Sequence, residues 1–266
     1  NYLPPEPKPN FHIFNRLENC IGKEPNEDDE KPIIIKSLTI RTIGSHPLWG
    51  HYLWNASKVL SNYLDSNSKN LVKDKFVLEF GAGGGLASLI CAINEAKKKV
   101  VITDYPDDEL IENIKYNAIA NLGVKKTQGD KKSVELPDNV IISGYIWGRD
   151  TNPLLNYINS TNSINNKRKY DLILLSDLLA NHSEHKSLLK SCKECLEPSN
   201  GQILVFFTHH RPHFIKQDLN FFKIATEEEN FKVEKIFQEK MNPMFKNDYG
   251  DEEVRSIVYG YRLSLY

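Results

Sequence analysis

Residues Val77-Leu78-Glu79-Phe80-Gly81-Ala82-Gly83-Gly84-Gly85-Leu86 form an apolar run ending in a glycine turn, and the next apolar run, Val100-Val101-Ile102-Thr103, ends in Asp104. With a helix between them, this order constrains the chain to a βαβ nucleotide site. Glycines let the backbone approach a ligand, and an acid at the second strand tip accepts ribose hydroxyls. Four glycines within residues 81–85 exceed what a plain strand-to-helix turn needs. A dinucleotide fingerprint would place its third glycine at position 86, where Leu86 stands. The pattern is instead acid-x-Gly-x-Gly-x-Gly, carried by Glu79, Gly81, Gly83 and Gly85. A carboxylate at position 79 would repel the pyrophosphate of NAD. It suits S-adenosylmethionine, which sets a sulfonium and an ammonium against one carboxylate. Charge complementarity therefore favours a methyl donor over a dinucleotide.

Apolar strands and amphipathic helices alternate through the rest of the chain. The periodicity predicts strands at 33–35, 38–43, 76–80, 100–103, 140–146, 171–175 and 202–208, with a closing pair at 231–238 and 255–265. It predicts helices from Leu48 to about residue 64 and over 85–97, 106–121, 151–159, 183–196 and 214–229. Segments 123–139 and 159–169 read as polar loops. Continuous apolar strands separated by helices imply an α/β fold with a mostly parallel sheet covered on both faces. The final pair has no helix between its members, so it should close the sheet as an antiparallel hairpin. Residues 1–32, with Pro4, Pro5, Pro7, Pro9 and the run Glu27-Asp28-Asp29-Glu30, read as an extended arm; residues 33–266 read as a single domain.

The charge balance, 34 Lys plus Arg against 35 Asp plus Glu, argues against general polyanion binding, so no nucleic-acid partner is expected. No apolar run approaches the roughly 18 residues of a membrane span. Cys192-x-x-Cys195 falls in an apparent helix and reads as two small buried residues. Few cysteines suggest a reducing compartment, and the cytoplasm is expected.

Ligands in such sheets lie beyond the carboxyl ends of the strands. The strand tips carry Glu79 to Gly83, Asp104, Trp147, Ser176-Asp177 and His209-His210. Asp104 is placed to take ribose hydroxyls, and Trp147 to stack on or wall a purine. Trp54 falls about 100° off the apolar stripe of its predicted helix, so it covers either a ligand or the arm. Ser176 can hydrogen-bond a donor, while Asp177 and Asn181 can position an amine or cap a helix. No histidine pair has metal-ligand spacing with a carboxylate, and methyl transfer needs no metal, so none is expected.

The chain resembles the seven-β-strand methyltransferases of family 16, and within them the fungal-type protein N-terminal and lysine methyltransferases that act on translation elongation factor 1-alpha. The resemblance rests on Ser45-His46-Pro47-Leu48-Trp49-Gly50-His51 with Leu53-Trp54-Asn55-Ala56, on Leu78-Glu79-Phe80-Gly81-Ala82-Gly83, and on Thr103-Asp104-Tyr105-Pro106-Asp107. It continues through Gly144-Tyr145-Ile146-Trp147-Gly148, Leu175-Ser176-Asp177-Leu178-Leu179, Phe206-Phe207-Thr208-His209-His210-Arg211-Pro212 and Glu239-Lys240-Met241-Asn242-Pro243-Met244-Phe245. The resemblance implies a Rossmann-like, S-adenosylmethionine-dependent fold with donor contacts at Trp54, Gly81, Ala82, Gly83, Asp104, Trp147 and Ser176. It also implies a protein substrate, the N-terminal amine of elongation factor 1-alpha and the lysine beside it. A monomer is expected. Ala180 stands where related lysine methyltransferases often carry an aromatic residue. A small-molecule amine methyltransferase of the nicotinamide type and a non-catalytic donor-binding protein are the alternatives.

Overall fold

Aliphatic runs become the central strands of a seven-stranded sheet. The computed structural model describes residues 7–21, 34–96, 99–128, 131–159 and 168–266. It opens with β1 (Asn10–Asn15) and β2 (Ser37–Thr42), followed by α1 (Asn55–Ser66) and α2 (Ser68–Leu71). The glycine turn joins β3 (Phe76–Phe80) to α3 (Leu86–Ile93), and then come β4 (Lys99–Asp104) and α4 (Asp108–Leu122). A hairpin of β5 (Val124–Gln128) and β6 (Lys131–Glu135) precedes β7 (Val140–Gly144) and α5 (Asn152–Asn156). The chain finishes with β8 (Leu172–Ser176), α6 (His185–Cys195), β9 (Gln202–Thr208), α7 (Ile215–Glu227), β10 (Phe231–Lys240), α8 (Glu252–Arg255) and β11 (Ile257–Leu265).

The strand order is β10-β11-β9-β8-β3-β4-β7. Strands β7, β4, β3, β8 and β9 pair in parallel, while β11 runs antiparallel to both its neighbours. The expected closing hairpin is present, and its last strand slots between β9 and β10. Every residue of β3 and β8 is buried, as a strand covered on both faces requires. One core lies under α1, α3 and α4, the other under α5, α6 and α7, and Val77 and Leu78 of β3 point into opposite cores.

Four local expectations need correction. Helix α1 begins at Asn55 rather than Leu48, because residues 48–54 form turns and Trp49 adopts a left-handed φ of 62°. Of the two early strands, only the second forms; residues 34–36 lie outside any strand. The supposed loop at 123–139 contains the β5–β6 hairpin, whose Val124 and Val134 stay exposed. Within the segment read as an arm, β1 pairs antiparallel with β2 across six residues. Behind it, Arg16 donates from Nε and Nη2 to the buried Asp65 of α1 at 2.9 and 2.8 Å, and Nη1 and Nη2 also reach the carbonyls of Ile35 and Cys20. The acidic run at 27–30 lies outside the described residues.

The free edge of β2 is closed by side chains. Asn113, Asn117 and Asn121 recur every four residues along one face of α4, and their amides pair with the backbone of β2. Asn121 bridges Thr39 N–H and carbonyl at 2.9 Å each, and Asn117 does the same for Arg41 at 2.8 Å each. Asn113 adds a 3.0 Å bond to the Arg41 carbonyl. A column of amides thus imitates a neighbouring strand and satisfies groups that would otherwise be orphaned.

Candidate active site

The chain reverses direction across the sheet between β3 and β8, and such a switch point leaves a crevice beyond the carboxyl ends of the strands. Here it is a cleft of about 860 Å³, lined by the glycine turn, the tips of β4 and β8, the turns before α1 and the β10–β11 connection.

Gly81, Gly83 and Gly85 all take left-handed φ values, 60°, 56° and 78°. At Gly81 a Cβ would be strained by the left-handed φ and would push on the end of the Leu178 side chain, 2.6 Å away; at Gly83 a Cβ would meet nothing within 4 Å, because that position opens onto the cleft. Ala82 lines the same wall. The turn is clasped to the next strand tip: Gly83 N–H donates to one oxygen of Asp104 and Tyr105 N–H to the other, both at 2.7 Å. Burial pushes the Asp104 carboxyl up, against the pull of those two N–H groups and His46. Each oxygen keeps a lone pair for a hydroxyl in the cleft.

Glu79 does something other than its charge suggested. It is buried and absent from the cleft lining; its carboxyl accepts hydrogen bonds from the Ser88 hydroxyl and N–H. The acid therefore splints the glycine turn to α3 from behind instead of facing a sulfonium. Alternation along the strand explains this, since Glu79 shares the face of Val77 while the turn itself carries the ligand wall.

Trp147 lies half-buried on the cleft wall, its ring 3.3 Å from the point where a Gly81 Cβ would sit. Trp54 also lines the cleft, but not for the helical reason: it is the residue before α1. Its ring packs against His210 at 4.9 Å, Tyr52 at 5.4 Å and Phe245 at 6.0 Å between centroids. Tyr52 and Phe245 were not legible in the sequence. Phe245 is delivered by the long β10–β11 connection, where Arg255 Nη1 donates to the Phe245 carbonyl at 2.6 Å and Asn55 Nδ2 donates to the Asn242 carbonyl at 2.7 Å. These rings supply the aromatic wall where Ala180, which also lines the cleft, supplies none.

At the tip of β8, Ser176 presents a buried hydroxyl without a hydrogen-bond partner. Asp177 follows in a left-handed turn, φ 55°. One of its oxygens accepts from Thr208 N–H at 3.0 Å and from His210 Nε2 at 3.1 Å; the other, Oδ2, is buried without a partner. Asn181 is exposed in the lining, and its side chain caps no helix. His182 and His209 both meet Asp218 at 2.7 Å, and His185 meets the Leu179 carbonyl at 2.8 Å, so these rings are structural ties. Of the acids in the β10–β11 connection, Asp248 reaches the cleft, Asp251 caps α8, and Glu253 lies 3.6 Å from Lys240.

Residues 33–228 match the family described as lysine methyltransferase. The chain belongs to that family. It is 40% identical over its whole length to a protein N-terminal and lysine N-methyltransferase of Yarrowia lipolytica, covering 93% of that protein. It is 42% identical to the protein of the same name from Schizosaccharomyces pombe, over 96% of each chain. In fold alone it is similar to a solved structure described as a methyltransferase complexed with S-adenosylhomocysteine: TM-score 0.54, 14% identity, 89% of this chain and 57% of that one.

This lysine methyltransferase family member brings Trp54, Gly81, Ala82, Gly83, Asp104, Trp147, Ser176, Asp177 and Asn181 to one cleft. Those residues fit an S-adenosyl donor. The open Gly83 position offers backbone to an incoming ligand, Asp104 offers acceptors to a ribose, and the orphaned Ser176 hydroxyl awaits a polar partner. A volume near 860 Å³ suits a nucleoside ligand with space left for an acceptor.

Proposed function

We propose that this methyltransferase takes the methyl group of S-adenosylmethionine and places it on amine nitrogens of a protein, the N-terminal amine of translation elongation factor 1-alpha and the lysine beside it. The observation that carries the reading is the pairing, within one cleft, of a glycine-and-Asp104 donor end with an acceptor end built from Asp177, Asn181 and aromatic walls. The names of the relatives support a protein amine as acceptor, and the family resemblance supports elongation factor 1-alpha. The enzyme is read as a cytoplasmic monomer.

The donor supplies an electrophilic methyl on a sulfonium sulfur. Gly81, Ala82, Gly83 and Asp104 hold its nucleoside end, Trp147 walls the base, and Ser176 and Trp54 border the methionine end. Asp177 and Asn181 orient the amine so that its lone pair points along the line of displacement. The S–CH3 electron pair stays on sulfur, and the new ammonium loses its proton to water. An N-terminal amine, pKa about 7.7–8.0, is roughly a tenth neutral at pH 7, and its methylation asks mainly for positioning. Lysine, near 10.4, is neutral in well under about one part in a thousand and needs desolvation or a favourable charge as well.

Transfer of labelled methyl to elongation factor 1-alpha, its terminus free or chemically blocked, read by mass spectrometry, tests the reading. Label on the first residue or its neighbouring lysine, lost in Trp54→Ala and Asp104→Ala enzymes, is the expected result. Donor binding without transfer to any protein amine would overturn it.

A further inference from the structure

Asp177 borders the cleft with one oxygen committed to protein donors and the other, Oδ2, buried without a hydrogen-bond partner among the described residues. An amine has to arrive neutral to attack, yet a lone carboxylate beside it does the reverse: it stabilises the ammonium and raises the amine pKa. His210 alters that balance. Its Nε2 lies 3.1 Å from Asp177 Oδ1, its ring packs on Trp54 at 4.9 Å, and both side chains line the cleft. The charged groups around the imidazole are Asp177 from the β8 turn, Asp218 from α7 and the adjoining Arg211, and the Trp54 ring lies beside it, tilted by 58°. Burial works to lower His210 and Arg211 opposes protonation, but the Asp177 charge and hydrogen bond, with Asp218, leave its pKa raised.

Resting on the amine-transfer reading above, we propose that His210, held as an imidazolium against Asp177, is a positioning residue that cancels the carboxylate charge, so that the wall of the cleft does not hold an incoming amine as its ammonium. The effect matters most for lysine, which otherwise binds almost wholly protonated.

Two measurements on the full chain test this. In an NMR titration of the His210 ring, the midpoint falls by about one pH unit when Asp177→Asn removes the partner charge. A ring that is neutral at pH 7 in the wild type overturns the proposal, whatever the substrate. In rate profiles from pH 6.5 to 9.5, on a peptide with a free terminal amine followed by lysine, the acid limb of His210→Gln moves up by about one pH unit. The variant is then roughly tenfold slower at pH 7 and recovers toward pH 9, while Asp177→Asn added to it brings the limb back. Calorimetric affinity for S-adenosylhomocysteine stays within twofold in both. An equal loss at every pH would assign His210 a purely structural role and overturn the proposal. A wild type that methylates no protein amine overturns the substrate reading alone, and the titration still decides the charge pair.

Discussion

Glu79 sits behind the glycine turn with its carboxyl against Ser88, and burial, opposed by those hydrogen bonds, pushes its pKa up from 4.5 to about 7. The folded chain therefore holds this proton more tightly than the unfolded chain does. The stability Glu79 contributes is full below about pH 4.5 and is lost as pH rises through about 7. Glu79→Gln keeps an acceptor for Ser88 and removes that titration. The difference in Tm between variant and wild type should widen in the variant's favour from pH 4.5 to 7 and then stay level; a difference independent of pH would show that the carboxyl titrates normally. Gly83 is the complementary case on the ligand side. Gly83→Ala meets no atom but imposes a left-handed conformation on an L residue, at roughly 1–2 kcal/mol, and puts a methyl into the donor space. We expect S-adenosylhomocysteine affinity to fall at least tenfold by calorimetry while the fold survives. The placement of Asp104 and the glycines on the cleft was readable because it follows from strand-tip position alone. The role of Glu79 was not, because the side to which a strand-end residue points depends on what packs behind it.

At the level of elements, the asparagine column of α4 stabilises the edge of β2 that faces away from β1. Asn117→Ala leaves the Arg41 N–H and one carbonyl bond unmatched next to a buried residue, and should lower unfolding free energy by about 1–3 kcal/mol in urea titration. A change under a few tenths would show that water replaces the amide. The pattern of three asparagines at helical spacing is visible in the sequence, but its purpose is not, since a polar stripe on a helix ordinarily means solvent. The boundary of α1 shows the opposite effect. The apolar rhythm of Trp49, Tyr52 and Leu53 continues that of the helix, yet these residues form turns because they pack around the cleft. Likewise Val124 and Val134 of the β5–β6 ribbon stay exposed, so their alternation with polar neighbours faces no core.

Across the whole molecule, the N-terminal segment is a structural part rather than an appendage. Arg16→Ala would leave Asp65, 3% exposed, facing only the Asn94 amide, and breaking such a buried pair is expected to destabilise by about 3–5 kcal/mol. Chemical denaturation compares this variant with Asp65→Asn and with the double variant; additive losses would rule out coupling between the two residues. The sequence by itself determined the layout of alternating strands and helices, the parallel centre of the sheet, and the glycine turn and Asp104 at the strand tips, because hydrophobic period and glycine turns are local properties of the backbone. Tertiary structure alone decided that β11 enters between β9 and β10, that Arg16 reaches Asp65 across 49 positions, and that Phe245, Tyr52 and His210 meet Asp177 in the wall of one cleft. Those contacts join residues far apart in the chain, and their free energy comes from burial and charge pairing that exist only once the layers have packed.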